Sequence, residues 1–360
     1  MTDELKQQLA NRNKNLIDMV IGRAKRDFSD DIAIIGVKGS FHTNDFHEKS
    51  DLDLLVVNNN DNGWGMAYCF IFDDVGYDIY CTSWNSLEQK SNLDSVDVSA
   101  LTGSQILYWS KPEDLERFNK LKEKALNNLS KPIGKDCIAR AKKNIDIAKQ
   151  EYADMILADC VGSVRYASGG IIYYLINSIV CLNNTYFKRG TKRFIEEVLT
   201  YKYLPENFEK FYVAVIEAKT IEEIRVSAGL LLNAVIQLYD SMCQSFIEKP
   251  MPTYDSLKGT YEEFWSNYRN KVIYATSTKD KNYLFRVGIY AQAYLDEMTA
   301  TRGTKKYDLM KHFDIDNIDK FQEAFLQIMD DYLLEYNKVS RPIECFNSFD
   351  TLYSAYMKNE

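Results

Sequence analysis

A chain of 360 residues with 46% hydrophobic content is long enough for two or three domains that bury full cores without staples. Its 44 basic and 52 acidic residues leave a formal net charge of −8, which argues against a nucleic-acid polymerase, because neutralising a phosphate backbone takes a basic groove. The seven cysteines form no CxxC pair and leave one over, so neither a disulfide framework nor a zinc site is expected, and reduced thiols in a cytoplasmic protein are the simpler reading. The polar N-terminus has no signal-peptide core, and the longest apolar run, 169–182, is interrupted by Asn177, so no membrane span is expected.

Leu5, Leu9, Leu16, Met19 and Val20 recur at helical spacing and predict a helix over 3–27. Strand one follows over 31–37, and Gly39-Ser40 makes a turn in which Ser40 can cap a short helix. Strand two is expected over 51–57, a turn over 58–65, strand three over 67–72 and strand four over 77–84, the last rich in aromatic and β-branched residues. A short fifth strand over 106–109 and a helix over 112–127 complete an α+β unit.

Pro132 and Gly134 break the pattern, and beyond them the sequence reads as almost wholly helical. The expected domains are a catalytic unit over 1–128, a helical bundle over 129–250 and a C-terminal helical subdomain over 251–360. Arg189-Gly190-Thr191-Lys192 recurs as Arg302-Gly303-Thr304-Lys305. Each is followed by a similar phrase, at Asn207 to Phe211 and at Asn317 to Phe321. Either the helical unit is duplicated, or Gly ends one helix and Thr caps the next.

The chemistry concentrates between Gly36 and Val57. Gly39-Ser40, ten further residues and then Asp51-Leu52-Asp53 lie between two apolar runs. On a strand Asp51 and Asp53 would share one face about 7 Å apart, with Leu52 and Leu54 in the core, and such a face can hold a divalent cation. This pattern resembles the nucleotidyltransferase superfamily, whose members share the Gly-Ser turn, a spacer of about this length and an Asp-x-Asp strand. The resemblance is carried by residues 30–84; afterwards only the two-domain layout of the aminoglycoside (kanamycin) nucleotidyltransferases is matched.

The resemblance implies an enzyme that moves AMP from ATP to a hydroxyl of an aminoglycoside-like small molecule and releases pyrophosphate. Asp51, Asp53 and Asp78 would hold magnesium, two ions in the usual arrangement, and Asp78 would either bind the ion nearest the acceptor hydroxyl or accept its proton. Gly39 and Ser40 would hold the β and γ phosphates, and Lys188, Arg189 and Lys192, clustered at a helix junction, would reach phosphates or close the cleft. Relatives often form dimers, so a homodimer is expected. Many relatives carry Arg-Gly three and four residues after the serine, where this chain has Thr43-Asn44. Asn tolerates the left-handed backbone of Gly, but the charge is missing, and His42 is the nearest substitute. Two rival readings share the core: a protein-adenylylating enzyme of the toxin-antitoxin type, and a nucleotide-binding module without turnover.

Overall fold

The computed structural model describes residues 2–95, 97–188, 193–246 and 250–357. The protein is α+β, with a small mixed sheet near the N-terminus and helices after it. Two compact units divide it, 1–246 and 247–360.

Helix α1 (Asp3–Asp27) starts where the Thr2 hydroxyl accepts the Leu5 N–H at 3.3 Å, with Asp3 and Glu4 in its first turn and Lys25 and Arg26 in its last. Leu9, Leu16, Val20 and Ala24 line its buried stripe. Strand β1 (Ile32–Val37) is buried throughout, as a central strand covered on both faces must be. After α2 (Gly39–His42) come β2 (Leu54–Asn58), β3 (Tyr68–Phe72), β4 (Val75–Ile79) and β5 (Cys81–Ser83). Helices α3 (Trp84–Ser91) and α4 (Ser99–Thr102), strand β6 (Gln105–Trp109) and helix α5 (Pro112–Ser130) complete the α+β part.

The four-stranded sheet has the order β5-β2-β1-β6, with β1 antiparallel to β2 and β6, and β2 parallel to β5. Side chains alternate across it, except at the bulge between Ile32 and Ile34, where Ala33 and Ile34 face the same side. Ile32, Ile35, Leu54 and Val56 pack with Leu16, Val20 and Ala24 of α1, whereas Ala33, Ile34, Leu55 and Val57 pack with Leu87, Leu101 and Phe118 of the other helices. The sheet is thus the middle layer of a sandwich, and the β1–α2 turn leaves the C-terminal end of its central strand β1.

The second half of this unit is helical: α6 (Lys135–Leu157), α7 (Val161–Leu182), α8 (Phe194–Val198), α9 (Phe208–Glu217) and α10 (Ile221–Cys243). Ile145, Val164, Ile171, Leu175 and Leu231 belong to its core, and Gly170 lets α6 come close, since a β-carbon there would stand 3.0 Å from the Glu151 carboxylate. Among the described residues α10 alone is long and apolar enough to cross a bilayer, by length and composition, and 22% of that window is buried in the protein. Unit 247–360 contains α11 (Thr260–Phe264), which runs through one π-helical turn into α12 (Asn270–Ser277), then α13 (Lys281–Arg302), α14 (Ile318–Lys338) and α15 (Phe349–Tyr356). Its core is aromatic, with Phe264, Phe321, Phe325, Tyr332 and Tyr336 fully buried.

Three expectations are corrected. Strand two begins at Leu54, so Asp51 and Asp53 precede it: Val37↔Leu54 is the last pair of the β1–β2 ladder, after which only the Lys38 N–H reaches back, to the Asp53 carbonyl at 3.0 Å. Gly39 turns β1 away, and the chain before Leu54 has no strand to pair with. Ser40 is not a cap; the four-residue helix begins at Gly39 and its N-cap is Lys38. Strand four is two strands, β4 in a separate hairpin with β3 and β5 beside β2, while Trp84 opens α3. Of the recurring tetrapeptide, residues 189–192 lie outside the described residues. In the later copy half of the punctuation is seen: Gly303 at φ +73° ends α13, but the Thr304 hydroxyl caps no helix.

Candidate functional site

The β1–α2 turn, the loop over 43–53, the segment before α4, the exposed face of α7 and residues 186–188 and 193–194 enclose a cleft of about 1360 Å³ inside unit 1–246. Gly39, Ser40, Asp51, Asp53 and Lys188 all line it. Arg189 and Lys192 lie outside the described residues.

Gly39 and Asp53 fit each other. The backbone at Gly39 has φ +67°, and a β-carbon there would stand 2.0 Å from Asp53 Oδ2, so the turn passes against the carboxylate with no room for a side chain. Loop 43–50 is held by its own short bonds. The Thr43 hydroxyl donates to the Gly39 carbonyl at 3.1 Å, the Asp45 N–H donates to the Ser40 carbonyl at 2.9 Å, and the buried Ser50 hydroxyl accepts the His47 N–H at 2.9 Å. Asn44 has φ +60°, the left-handed backbone that Asn tolerates. From the helical half Arg193 Nε donates to Asp45 Oδ2 at 2.9 Å, which ties the loop to the opposite wall.

Charge in the cleft is mixed. Burial raises the Asp53 carboxyl above its ordinary pKa, the Lys38 ammonium opposes the rise, and the neighbouring carboxylates Asp51 and Asp97 add to it. Asp97 moves the other way. Burial would raise it, but the Lys90 ammonium, 2.6 Å from Oδ2, Lys38 and the Ser99 hydroxyl, donating to Oδ1 at 3.0 Å, together lower it. Lys38 therefore serves two carboxylates. Lys188 lines the cleft with its side chain exposed, and its N–H donates to the buried Glu197 carboxylate at 2.9 Å.

Asp78 is not brought to the cleft. On β4, Val75, Tyr77 and Ile79 point into the core, so Asp78 faces solvent on the hairpin's other side and accepts a hydrogen bond from Cys69 Sγ at 3.1 Å. Among the described residues no three His, Cys, Asp or Glu side chains converge on a metal position. What the cleft offers is a pair, Asp51 and Asp53, with Asp97 near enough for its charge to be felt. That donor set fits magnesium, which takes one or two carboxylates and fills its octahedron with phosphate oxygens and water.

Pattern reading misses Asp97, although Val96-Asp97-Val98 shows the same polar-between-apolar signature as Asp78. Lys38, Asp45 and Arg193 carry no signal in sequence; the fold alone assembles them. On α7, Gly169, Tyr173 and Asn177 line the cleft, one face at helical spacing.

No family model matches the chain, and no curated protein matches it. Among solved structures it is similar to a nucleotidyltransferase-like protein from Exiguobacterium sibiricum 255-15, at 14% identity and a TM-score of 0.37, over 63% of this chain and 76% of that one. A TM-score of that size carries neither fold nor activity across, so any function must be argued from the cleft's own residues.

Proposed function

We propose that the cleft transfers a nucleoside monophosphate from a nucleoside triphosphate to a hydroxyl of a small-molecule acceptor, with ATP the preferred donor. The observation that carries this reading is the fit of Gly39 against Asp53, which sets a turn with no side chain in the way beside the Asp51 and Asp53 pair. The first-turn amides of α2 lie outside the helix's own ladder and would receive phosphate oxygens together with the Ser40 hydroxyl. Lys38, Lys49 and Lys188, all lining the cleft, would offset the triphosphate charge. Asp51 and Asp53 would hold magnesium, which when bound neutralises charge on the reacting phosphate and on the departing pyrophosphate.

The bond that forms joins the acceptor oxygen to the α-phosphorus as its hydroxyl proton leaves to solvent, and the α–β phosphoanhydride bond breaks to release pyrophosphate; the protein's part is to hold the two in line. Arg193, through Asp45, keeps loop 43–50 against the helical wall, so the distance between phosphate-binding turn and acceptor wall is set within one unit. The chain's net charge of −8 suits a cationic acceptor, for which an aminoglycoside is the model compound; Asp45 and Asp97 on the cleft walls are already paired with Arg193 and Lys90.

A second reading has one observation in its favour. With Asp78 turned to solvent the described residues hold no carboxylate triad, and a module that binds nucleotide without turnover needs none. Magnesium-dependent pyrophosphate release from each of the four ribonucleoside triphosphates, with a panel of aminoglycosides, separates the two. Acceptor-dependent release that disappears in Asp51→Asn and Asp53→Asn and persists in Asp78→Asn is the expected result. Tight binding with no release under any acceptor would leave the module. Transfer of labelled nucleotide to a polypeptide would identify the acceptor as a protein.

A further inference from the structure

Among the described residues, strands β3 and β4 pair only with each other, so the outer edge of β3 is open. Their turn has two residues, Asp73 and Asp74, both at positive φ, and the ladder from Tyr68↔Ile79 to Phe72↔Val75 runs without a bulge. In such a hairpin the pair beside the turn exchanges both hydrogen bonds, and every second pair does the same. Tyr68, Phe70 and Phe72 therefore direct their N–H and C=O groups to β4, while those of Cys69 and Ile71 point out along the free edge. The side chains agree, since Cys69 Sγ reaches Asp78 Oδ1 at 3.1 Å, the closeness of a pair without backbone bonds. Open edges are ordinarily guarded by charge, proline or a bulge, and the run Tyr68-Cys69-Phe70-Ile71-Phe72 has none of these. Ile71 is 81% exposed, Tyr68 59% and Phe72 49%. Strand β4 differs: Val75, Tyr77 and Ile79 are buried, and its solvent face carries the Asp78 carboxylate.

We infer that β3 pairs antiparallel with β3 of a second copy about a two-fold axis at Phe70, joining two hairpins into one four-stranded sheet. The register names the occupant. With Phe70 opposite Phe70, Cys69 and Ile71 of each copy face Ile71 and Cys69 of the other, and every outward N–H and C=O of the two strands is paired. The same register sets Tyr68 of each copy opposite Phe72 of the other, on the face where both are about half exposed. Tyr68 already stacks on Phe70 at 5.7 Å and Phe70 on Tyr77 at 5.3 Å, so the pairing continues an aromatic row across the axis. No charge lies on the paired residues, and Asp73 falls opposite Ala67 rather than its own counterpart. A foreign strand could fill the backbone bonds, but a second copy also covers Tyr68 and Phe72 by symmetry. An interface of one short strand is small, so the dimer has micromolar rather than nanomolar affinity. This pairing is independent of the nucleotidyl-transfer reading.

Sedimentation equilibrium of the full chain through the micromolar range should show a monomer–dimer equilibrium. Ile71→Lys places a charge on each side of the axis and should weaken dimerisation at least about tenfold. Because Ile71 is exposed, the melting temperature at high dilution should not change. Amide hydrogen exchange locates the contact: the N–H groups of Cys69 and Ile71 should slow as concentration rises, while those of Phe70 and Phe72, held by β4, should change little. Cross-linking reads the axis itself. In a Cys69→Ser background, Phe70→Cys should form a disulfide between copies under mild oxidation, since directly opposed residues without backbone bonds bring their Cα atoms to about 4.5 Å. Asp78→Cys in the same background should form none, which also controls for the remaining cysteines. A chain that stays monomeric throughout overturns the inference. So does a dimer that Ile71→Lys leaves unmoved, or one in which the Cys69 and Ile71 N–H groups exchange as fast as in the monomer.

Discussion

Alanine at Gly39 probes the contact on which the site depends. A β-carbon there would stand 2.0 Å from Asp53 Oδ2 and 2.8 Å from its Cγ, where ordinary contact begins near 3.4 Å, so the carboxylate must retreat by about 1.4 Å (3.4 − 2.0). The backbone at φ +67° adds a cost of about 1 kcal/mol for a residue other than glycine. Displacement of a reacting or ligating group by an ångström costs on the order of a hundredfold in rate, about 2.7 kcal/mol of barrier. Gly39→Ala should therefore lower the melting temperature modestly and turnover severely. Two comparisons separate strain from clash. Gly39→Asn tolerates the left-handed backbone yet keeps the β-carbon, so it should recover stability without recovering turnover. In an Asp53→Ala background the carboxylate is gone and only the contact with the residue-53 β-carbon at 3.0 Å remains, so the stability cost of Gly39→Ala should shrink towards the backbone share. Magnesium-dependent pyrophosphate release and thermal melts of the singles and the double decide it. Full turnover in Gly39→Ala, or the same stability loss with and without the Asp53 side chain, would refute the argument.

Asp53→Asn should abolish turnover yet stabilise the chain at neutral pH in chelator: a carboxyl with a raised folded pKa contributes stability below its unfolded value and loses it as pH rises through the folded one. The gain should disappear as melts are taken to pH values below the ordinary aspartate range, and a gain that persists there would contradict the burial argument. Arg193 and Asp45 are each about half exposed, where solvent screens the pair, so Arg193→Ala should leave the midpoint of a denaturant titration nearly unchanged while raising the KM for acceptor, because loop 43–50 loses its tie to the helical wall. In the C-terminal unit the Tyr336 hydroxyl donates to the Leu257 carbonyl at 2.5 Å and accepts the Tyr261 N–H at 2.8 Å inside the core. Tyr336→Phe strands the Tyr261 N–H, while the Leu257 carbonyl keeps the Thr260 hydroxyl at 3.0 Å and the Thr260 N–H at 3.1 Å, and should cost about 1–3 kcal/mol of stability, with pyrophosphate release unchanged.

Much of the local structure was legible because it depends on neighbours in sequence. The 3–4 spacing of Leu9, Leu16 and Val20 places α1, Asn44 adopts the positive φ its residue type tolerates, and Gly39 sits where a turn needs it. The Asp-x-Asp pair was legible as chemistry but not as strand, because the strand's start depends on where β1 leaves the ladder, at Gly39, and the ladder is a partnership between distant segments. Asp78 shows the limit from the other side. Alternation predicts that one of each neighbouring pair on β4 is buried, yet which way Asp78 faces depends on β4 pairing with β3 and packing Tyr77 inward. Periodicity assigns no element over 85–105, and there α3 and α4 bring Asp97 to the cleft.

By itself, then, the sequence determined the α+β start, the helical remainder, the Gly-Ser turn and the two carboxylates, since periodicity, turn chemistry and charge are properties of short stretches. Tertiary structure alone decided which charges share a volume. Lys38 stands between Asp53 and Asp97, and Arg193 reaches Asp45 across 148 positions. Those choices follow from which faces of distant helices and strands are buried together, a competition for apolar contact that no single stretch of the chain encodes.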